Sequence, residues 1–240
     1  MISRFFFPGT VPAAGEIQLP EALAHHAVRV LRLRDGDPLV LFDGGGGECP
    51  ATLVLRGKQC FAELGGRLAV ERESPLGLVL VQALAGGDKM DWIVQKAVEL
   101  GVSAVVPVQA ERSVLRLSGE RAAKRVEHWR QVAVSACEQS GRNHVPVVEP
   151  VVGLREYLAR AHDGPRLVLD PVAGQRLASL PRPAAVAHLL VGPEGGWAAD
   201  ELAACRSAAC IAVGLGPRVL RCETAGLAAI AALQALWGDF

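Results

Sequence analysis

The stretch Ala187-His-Leu-Leu-Val-Gly-Pro-Glu-Gly-Gly-Trp197 decides how this chain folds. Ala187–Val191 reads as a buried strand, Gly192–Gly196 as a tight turn, and helix formers resume at Ala199. The same strand-then-turn unit recurs on either side. Arg166–Leu169 is strand-like and ends on Asp170-Pro171. Ile211–Gly214 is another strand, and it runs through Leu215-Gly-Pro-Arg-Val-Leu-Arg-Cys-Glu-Thr224 into a final apolar helix over Glu223–Trp237. Upstream, Leu78–Ala85 is a buried strand followed by Gly86-Gly-Asp88 and a helix over Lys89–Leu100. That helix sets Met90, Ile93, Val94, Ala97 and Val98 on one face, with Gly101 as its C′ residue. Ala104–Val108 is strand-like, and Ser118 can cap a long helix through Glu138 with Val126, Trp129, Val132, Ala133 and Ala136 inward. Strand–helix alternation of this kind predicts an α/β fold with a parallel sheet covered on both faces.

Moving towards the N terminus, the pattern changes near Glu71-Arg-Glu-Ser-Pro75. Before it, short apolar stretches (Leu39–Phe42, Ala51–Leu55, Cys60–Leu64) alternate with glycine and charge clusters, which suits a small β-barrel or sandwich. Asp43-Gly-Gly-Gly-Gly47 fits a hairpin turn, because glycine accepts positive φ without steric cost. The boundary therefore predicts a β domain over residues 1–72 and an α/β domain over 74–240.

Bulk properties remove several function classes. Formal net charge is zero, so no global field draws the chain to nucleic acid or membrane, and any such partner must meet a local patch. The N-terminal Met1–Pro8 is too short for the apolar core of a signal peptide. The helix over Glu223–Trp237 falls short of the ~20 residues that span a bilayer. The expectation is a cytoplasmic protein without membrane contact. Six cysteines (Cys49, Cys60, Cys137, Cys205, Cys210, Cys222) show no CxxC pair or zinc spacing, so they are expected to be reduced thiols, with no metal bound.

In open α/β sheets ligands bind outside the carboxyl ends of the strands. Three loops there carry glycine or proline: Leu167–Pro171, Leu190–Trp197 and Gly214–Thr224. Tight turns of this kind let a ligand approach backbone amides closely. Gly214-Leu-Gly216 begins like a dinucleotide fingerprint, but the third glycine position is Val219, and too few residues remain for the further βαβ unit. Gly86-Gly-Asp-Lys89 lacks the P-loop spacing, and no nucleophile elbow is present. The pocket is therefore expected to take a small molecule other than NAD or a nucleoside triphosphate.

The motifs themselves resemble a known family. Gly87-Asp-Lys-Met90, Gln95-Lys-Ala-Val-Glu-Leu-Gly101, Glu111-Arg-Ser113, Cys137-Glu-Gln-Ser-Gly-Arg142, VGPEGG at 191–196 and LGPRVLRCETA at 215–225 are similar to the bacterial RsmE-type 16S ribosomal RNA (uracil-N3) methyltransferases of the SPOUT class. His26-Ala-Val-Arg-Val-Leu-Arg32 and Leu41-Phe-Asp-Gly44 resemble that family's PUA-like RNA-binding domain. The resemblance implies a C-terminal trefoil knot, which general fold rules make very rare. It also implies a homodimer, S-adenosyl-L-methionine as cofactor, and 16S rRNA within the small ribosomal subunit as partner. The cofactor lining expected from it is Leu169, Gly192, Gly195, Gly196, Leu215, Gly216 and Leu220. Cys222 stands where the family pattern has threonine; a thiol caps a helix more weakly than a hydroxyl, so a looser helix start is expected.

Methyl transfer to uracil N3 requires loss of the N3 proton, by a base or with a cation stabilising the anion. Glu194 or Glu223 is the candidate base, and Arg142 or Arg221 the candidate stabilising cation. An acid at a helix N-terminus is also favoured by the macrodipole without any catalytic task. Between Arg112 and Arg142 seven cations face three acids, whereas charges in residues 1–72 cancel at eight each. Arg29, Arg32 and Arg34 nonetheless cluster with His25 and His26. Arg4, Arg29, Arg32 and Arg112 are the candidate RNA contacts. Two other readings remain: a non-catalytic ribosome-assembly factor on the same fold, and a SPOUT methyltransferase acting on transfer RNA.

Overall fold

The computed structural model describes residues 2–240, which divide into two compact units, residues 2–73 with 137–145 and residues 74–136 with 146–240. In the first unit the strands β1 (Ser3–Phe6), β2 (Gly15–Gln18), β3 (Pro38–Phe42), β4 (Cys49–Arg56) and β5 (Gln59–Leu64) form one sheet in the order β1-β3-β4-β5-β2. β3, β4, β5 and β2 pair antiparallel, while β1 lies parallel to β3. Alternate side chains face inward, so Phe5, Leu39, Leu41, Leu53 and Ala62 meet Leu23 and Ala27 in a closed core. Leu23 sits on the short helix α1 (Glu21–His25), which continues as one π-helical turn over His26–Val30.

The Asp43–Gly47 run joins β3 to β4 as the hairpin expectation requires. Gly44, Gly46 and Gly47 all have φ near +70° to +90°, and a methyl on Gly47 would lie 2.7 Å from the Leu68 carbonyl oxygen. The Asp43 carboxylate organises the turn. It accepts two bonds from Arg67 (2.8 and 2.9 Å), one from the Val11 amide and one from the Gly45 amide. The Arg67 hydrogen bond, helped by those amides, holds the Asp43 carboxyl well below the ordinary carboxylate range despite its burial. A depressed folded-state value contributes stability above the unfolded value and loses it as pH falls. Asp43→Asn is therefore expected to cost about 2 kcal/mol near neutrality, since Arg67 is partly in water. The gap in Tm from wild type should begin to narrow as pH falls below about 4 and keep narrowing in stronger acid, and melting curves across pH check this.

The second unit is built on an all-parallel sheet. Its strands are β6 (Gly77–Ala83), β7 (Ala104–Gln109), β8 (Val147–Val148), β9 (Val152–Gly153), β10 (Arg166–Leu169), β11 (Val186–Val191) and β12 (Ile211–Val213). The order is β12-β10-β11-β6-β7-β8, with β9 also beside β7. Buried on both faces, these strands read as apolar runs rather than alternating ones. Helices α2 (Lys89–Glu99) and α6 (Cys222–Trp237) pack together, and α6 lies against β11 and β6. Helices α4 (Leu154–Leu158) and α5 (Ala199–Ser207) share a core with Val81, Val106, Val168 and Leu190. Helix α3 (Gly119–Ser140) completes the set, and its Trp129 donates to Asp91 of α2 at 3.1 Å. All six cysteines are free thiols and five are buried. Among the described residues no helix is long and apolar enough to cross a membrane, and no group of three His, Cys, Asp or Glu could hold a metal.

One expectation is corrected here. Cys222 is not the cap of the last helix. That position belongs to Arg221, whose carbonyl accepts from the Ala225 amide at 2.8 Å. Cys222 is the first helical residue, and its thiol donates to Glu223 Oε2 at 3.1 Å. A threonine-to-cysteine difference at that place therefore removes no cap.

Candidate active site

The sheet order β12-β10-β11 sets three strand ends side by side, and the loops leaving them enclose a cleft of about 540 Å³. That volume suits a small organic ligand. Leu169, Asp170 and Pro171 form one wall, Val191–Glu194 with Gly196 and Trp197 a second, and Val219–Glu223 with Ala225 a third. A smaller pocket of about 40 Å³ adds Leu215, Gly216 and Arg218 and shares Leu169, Asp170, Pro171, Leu220 and Ala225 with the cleft.

Local sequence explains each wall. Asp170 closes its own turn, accepting the Val172 amide at 3.1 Å. Gly196, at φ +68°, donates its amide to the Pro193 carbonyl at 2.9 Å, a turn that L side chains rarely adopt. Gly192 passes under Trp197, where an added methyl would sit 3.2 Å from the indole nitrogen. Gly195 is braced from behind, since its carbonyl accepts Arg112 Nη1 at 3.2 Å. Glu201 of α5 fixes this corner, taking the Ala198 amide at 2.9 Å and the Glu111 amide at 2.8 Å.

Charge gathers at one end of the cleft. Glu194 Oε1 accepts both the Gly86 amide (2.9 Å) and Lys89 Nζ (3.0 Å), and Lys89 also lies 3.8 Å from Glu223 Oε2. Burial works to raise the Glu194 carboxyl, but the Gly86 amide, its own amide and Lys89 together hold it below the ordinary value. Glu223 is likewise lowered, first by its own amide and then, against some burial, by the Cys222 thiol, Lys89 and Arg221. Burial, followed by the bond to Glu223, pushes the Cys222 thiol up to about 12. The site therefore presents two ionised carboxylates, a neutral thiol and two cations.

Of the residues singled out in the sequence, Leu169, Gly192, Glu194, Gly196, Leu220, Arg221 and Glu223 line the cleft, and Leu215 and Gly216 the smaller pocket. Gly195 lines neither and serves as the brace for Arg112. Arg142 is elsewhere. It belongs to the first unit, is 4% exposed and pairs with Glu73, with Nε 3.1 and 3.2 Å from the two carboxylate oxygens. Arg4 is also committed internally, to Glu48 and to Asn143 Oδ1 at 2.6 Å, with Phe42 beneath its guanidinium. Arg29, Arg32 and Arg112 are exposed. Lys89, Asp170 and Trp197 were not singled out; only the motif stretch containing Lys89 pointed towards it.

Comparison with known proteins agrees with this geometry. Residues 72–234 match the RNA methyltransferase domain family and residues 19–64 the RNA methyltransferase PUA domain family. The ribosomal RNA small subunit methyltransferase E of Bacillus subtilis is 34% identical over 88% of this chain and 86% of its own. A crystal structure of the Neisseria gonorrhoeae ribosomal RNA small subunit methyltransferase E bound to S-adenosyl methionine is 41% identical, covers all of both chains and superposes with a TM-score of 0.93. A Legionella pneumophila methyltransferase in complex with the same cofactor is 35% identical over all of both chains, with a TM-score of 0.95. By sequence and by structure, this chain belongs to the RNA methyltransferase family, among the ribosomal RNA small subunit methyltransferases E.

Proposed function

We propose that this protein uses S-adenosyl-L-methionine to methylate N3 of a uridine in the 16S rRNA of the small ribosomal subunit, as a cytoplasmic homodimer. The observation that carries the reading is the three-walled cleft built from VGPEGG (191–196) and LGPRVLRCETA (215–225). In this reading residues 74–240 are the SPOUT methyltransferase domain with a C-terminal trefoil knot, and residues 1–72 are the PUA-like RNA-binding domain.

The residues present fit the cofactor. Leu169, Leu215 and Leu220 offer apolar walls, and Gly192, Gly196 and Gly216 leave backbone groups open to approach. Trp197, 8% exposed, has an indole Nε1 with no hydrogen-bond partner among the described residues, a buried donor on the cleft wall that lacks an acceptor. Bound there, the cofactor supplies an electrophilic methyl group on a cationic sulfur. The chain's own task is to orient the uracil, exclude water and take the N3 proton. Glu194 or Glu223, both ionised, can accept it, and Arg221 at the cleft is the cation placed to steady negative charge on the ring. Arg142, held by Glu73, is assigned to structure instead.

Arg29 and Arg32 are the proposed phosphate contacts. Neither is in a salt bridge among the described residues, and Arg32 holds φ +59° two residues beyond the π-helical turn, a strained geometry common at functional positions. Arg112, exposed beside Gly195, is the proposed contact of the methyltransferase domain. The internal commitments of Arg4 assign it to packing.

Incubating the full chain with methyl-labelled cofactor and unmodified small subunits, then locating label by mass spectrometry, tests the function. Label at a single uracil N3 is expected; no transfer together with no cofactor affinity would favour the assembly-factor reading. In the same assay Glu194→Gln is expected to lower kcat by about 100-fold if Glu194 is the base. Full turnover would pass that role to Glu223.

A further inference from the structure

Lys89 occupies a position that local helix physics does not favour. It is the first residue of α2, where the exposed backbone amides and the helix dipole favour an acid over a cation. The preceding Gly86-Gly87-Asp88 turn, with Gly87 at φ +63°, brings this residue and the Gly86 amide to the same carboxylate oxygen, Glu194 Oε1. A methyl on Gly86 would already lie 3.5 Å from that oxygen. The turn is built around Glu194, which stands more than a hundred positions away in sequence.

We propose that Lys89 is the positioning residue of this site, bridging Glu194 and Glu223 so that two carboxylates from separate loops are held as one fixed, ionised pair. The ammonium stands 3.0 Å from Glu194 Oε1 and 3.8 Å from Glu223 Oε2. All three side chains are partly shielded, with exposures of 33%, 25% and 22% for Lys89, Glu194 and Glu223, so solvent weakens their mutual attraction without abolishing it. Two anions this close to one another would otherwise raise each other's affinity for protons.

The remaining groups around the pair cannot replace Lys89. Cys222 is a neutral thiol donating to Glu223, Arg221 stands on the Glu223 side, and Arg112 is turned to the Gly195 carbonyl. The lysine in turn is held protonated, chiefly by its hydrogen bond to Glu194. Whichever carboxylate takes the N3 proton, Lys89 keeps it ready to accept.

This inference rests on the methyltransferase reading, but its first test does not. In the full chain without cofactor, carbon-13 labelling of glutamate allows the carboxyl titrations of Glu194 and Glu223 to be followed by NMR. Lys89→Met is expected to raise both midpoints by about one pH unit, and Lys89→Arg to restore them. In the methylation assay the acid limb of kcat/KM should move up in pH by the same amount. Well below the wild-type midpoint the loss for Lys89→Met should exceed that at pH 8 by about tenfold, with Lys89→Arg again restoring the profile. Should Lys89→Met misfold by circular dichroism, Lys89→Gln takes its place. Unmoved carboxyl midpoints in a folded variant, or a rate lost by one constant factor at every pH, would overturn the proposal. If the wild type transfers no methyl group, the functional reading falls while the titrations still decide on Lys89.

Discussion

Gly214→Ala is expected to weaken S-adenosyl-L-methionine binding by up to about 100-fold. Gly214 follows β12, donates its amide to the Gln175 carbonyl at 2.9 Å and pairs in parallel with Arg176. A methyl group there would stand 2.5 Å from the Ala173 carbonyl oxygen, closer than real Cβ atoms come to backbone. The segment over 173–176 must move away, and it is continuous with the Asp170-Pro171 wall of the cleft. Overpacking of this kind costs about 1–3 kcal/mol, and each 1.4 kcal/mol is tenfold in affinity. Gly174→Ala is the control, since nothing lies within 4 Å of a methyl at that position. Isothermal calorimetry should find the control at wild-type affinity. Wild-type affinity in Gly214→Ala would show that the 173–176 segment does not set the wall.

Arg142→Met is expected to lower Tm by on the order of 10 °C. The guanidinium is 5% exposed and bonds the Glu73 carboxylate through Nε and Nη2. Its own backbone carbonyl accepts Arg4 Nη2 at 3.3 Å. Removing the arginine leaves the Glu73 charge uncompensated, and because Glu73 keeps 25% of its side chain exposed the cost is at the low end for such pairs, about 3 kcal/mol. For a chain of this size each kcal/mol moves Tm by roughly 2–4 °C. Arg221→Met, at an exposed position, should leave Tm in place and reduce methyl transfer. Melting curves and single-turnover rates on both variants separate the two roles. An Arg142→Met protein with unchanged Tm and no activity would return that arginine to the chemistry.

The contrast between these arginines marks where the sequence stops being readable. The parallel sheet shows in the chain because its strands are buried on both faces and end on glycine or proline, a signal carried by neighbouring residues. The elements that do not show are short. β8 and β9 have two residues each and α4 has five, too few for a period to emerge. The π-helical turn at His26–Val30 has no pattern of its own. The last turn of α3 and the loop after it, residues 137–145, pack with the first unit, so Arg142, marked as a site residue by the motif resemblance, is found in a structural pair.

The cleft follows the same division. Its glycine turns are visible because positive φ restricts residue type at Gly196 and Gly216, so both stand out before any coordinates. Lys89 does not, because its meaning lies in two carboxylates on distant loops, and a lysine at a helix start looks like any solvated surface charge. Gly195 illustrates the reverse: the glycine pattern marks it as lining, while its carbonyl is occupied by Arg112. Neighbouring residues dictate turn shape, but which side chains meet across those turns is set by the sheet order.

The most direct measurement of the central claim is a crystal structure of the full chain with S-adenosyl-L-methionine. The cofactor is expected among the three strand-end loops, against Leu169, Gly192 and Leu220, with its methyl group on the side of Glu194, Lys89 and Glu223. Cofactor bound outside these loops, or none at saturating concentration, would contradict the account.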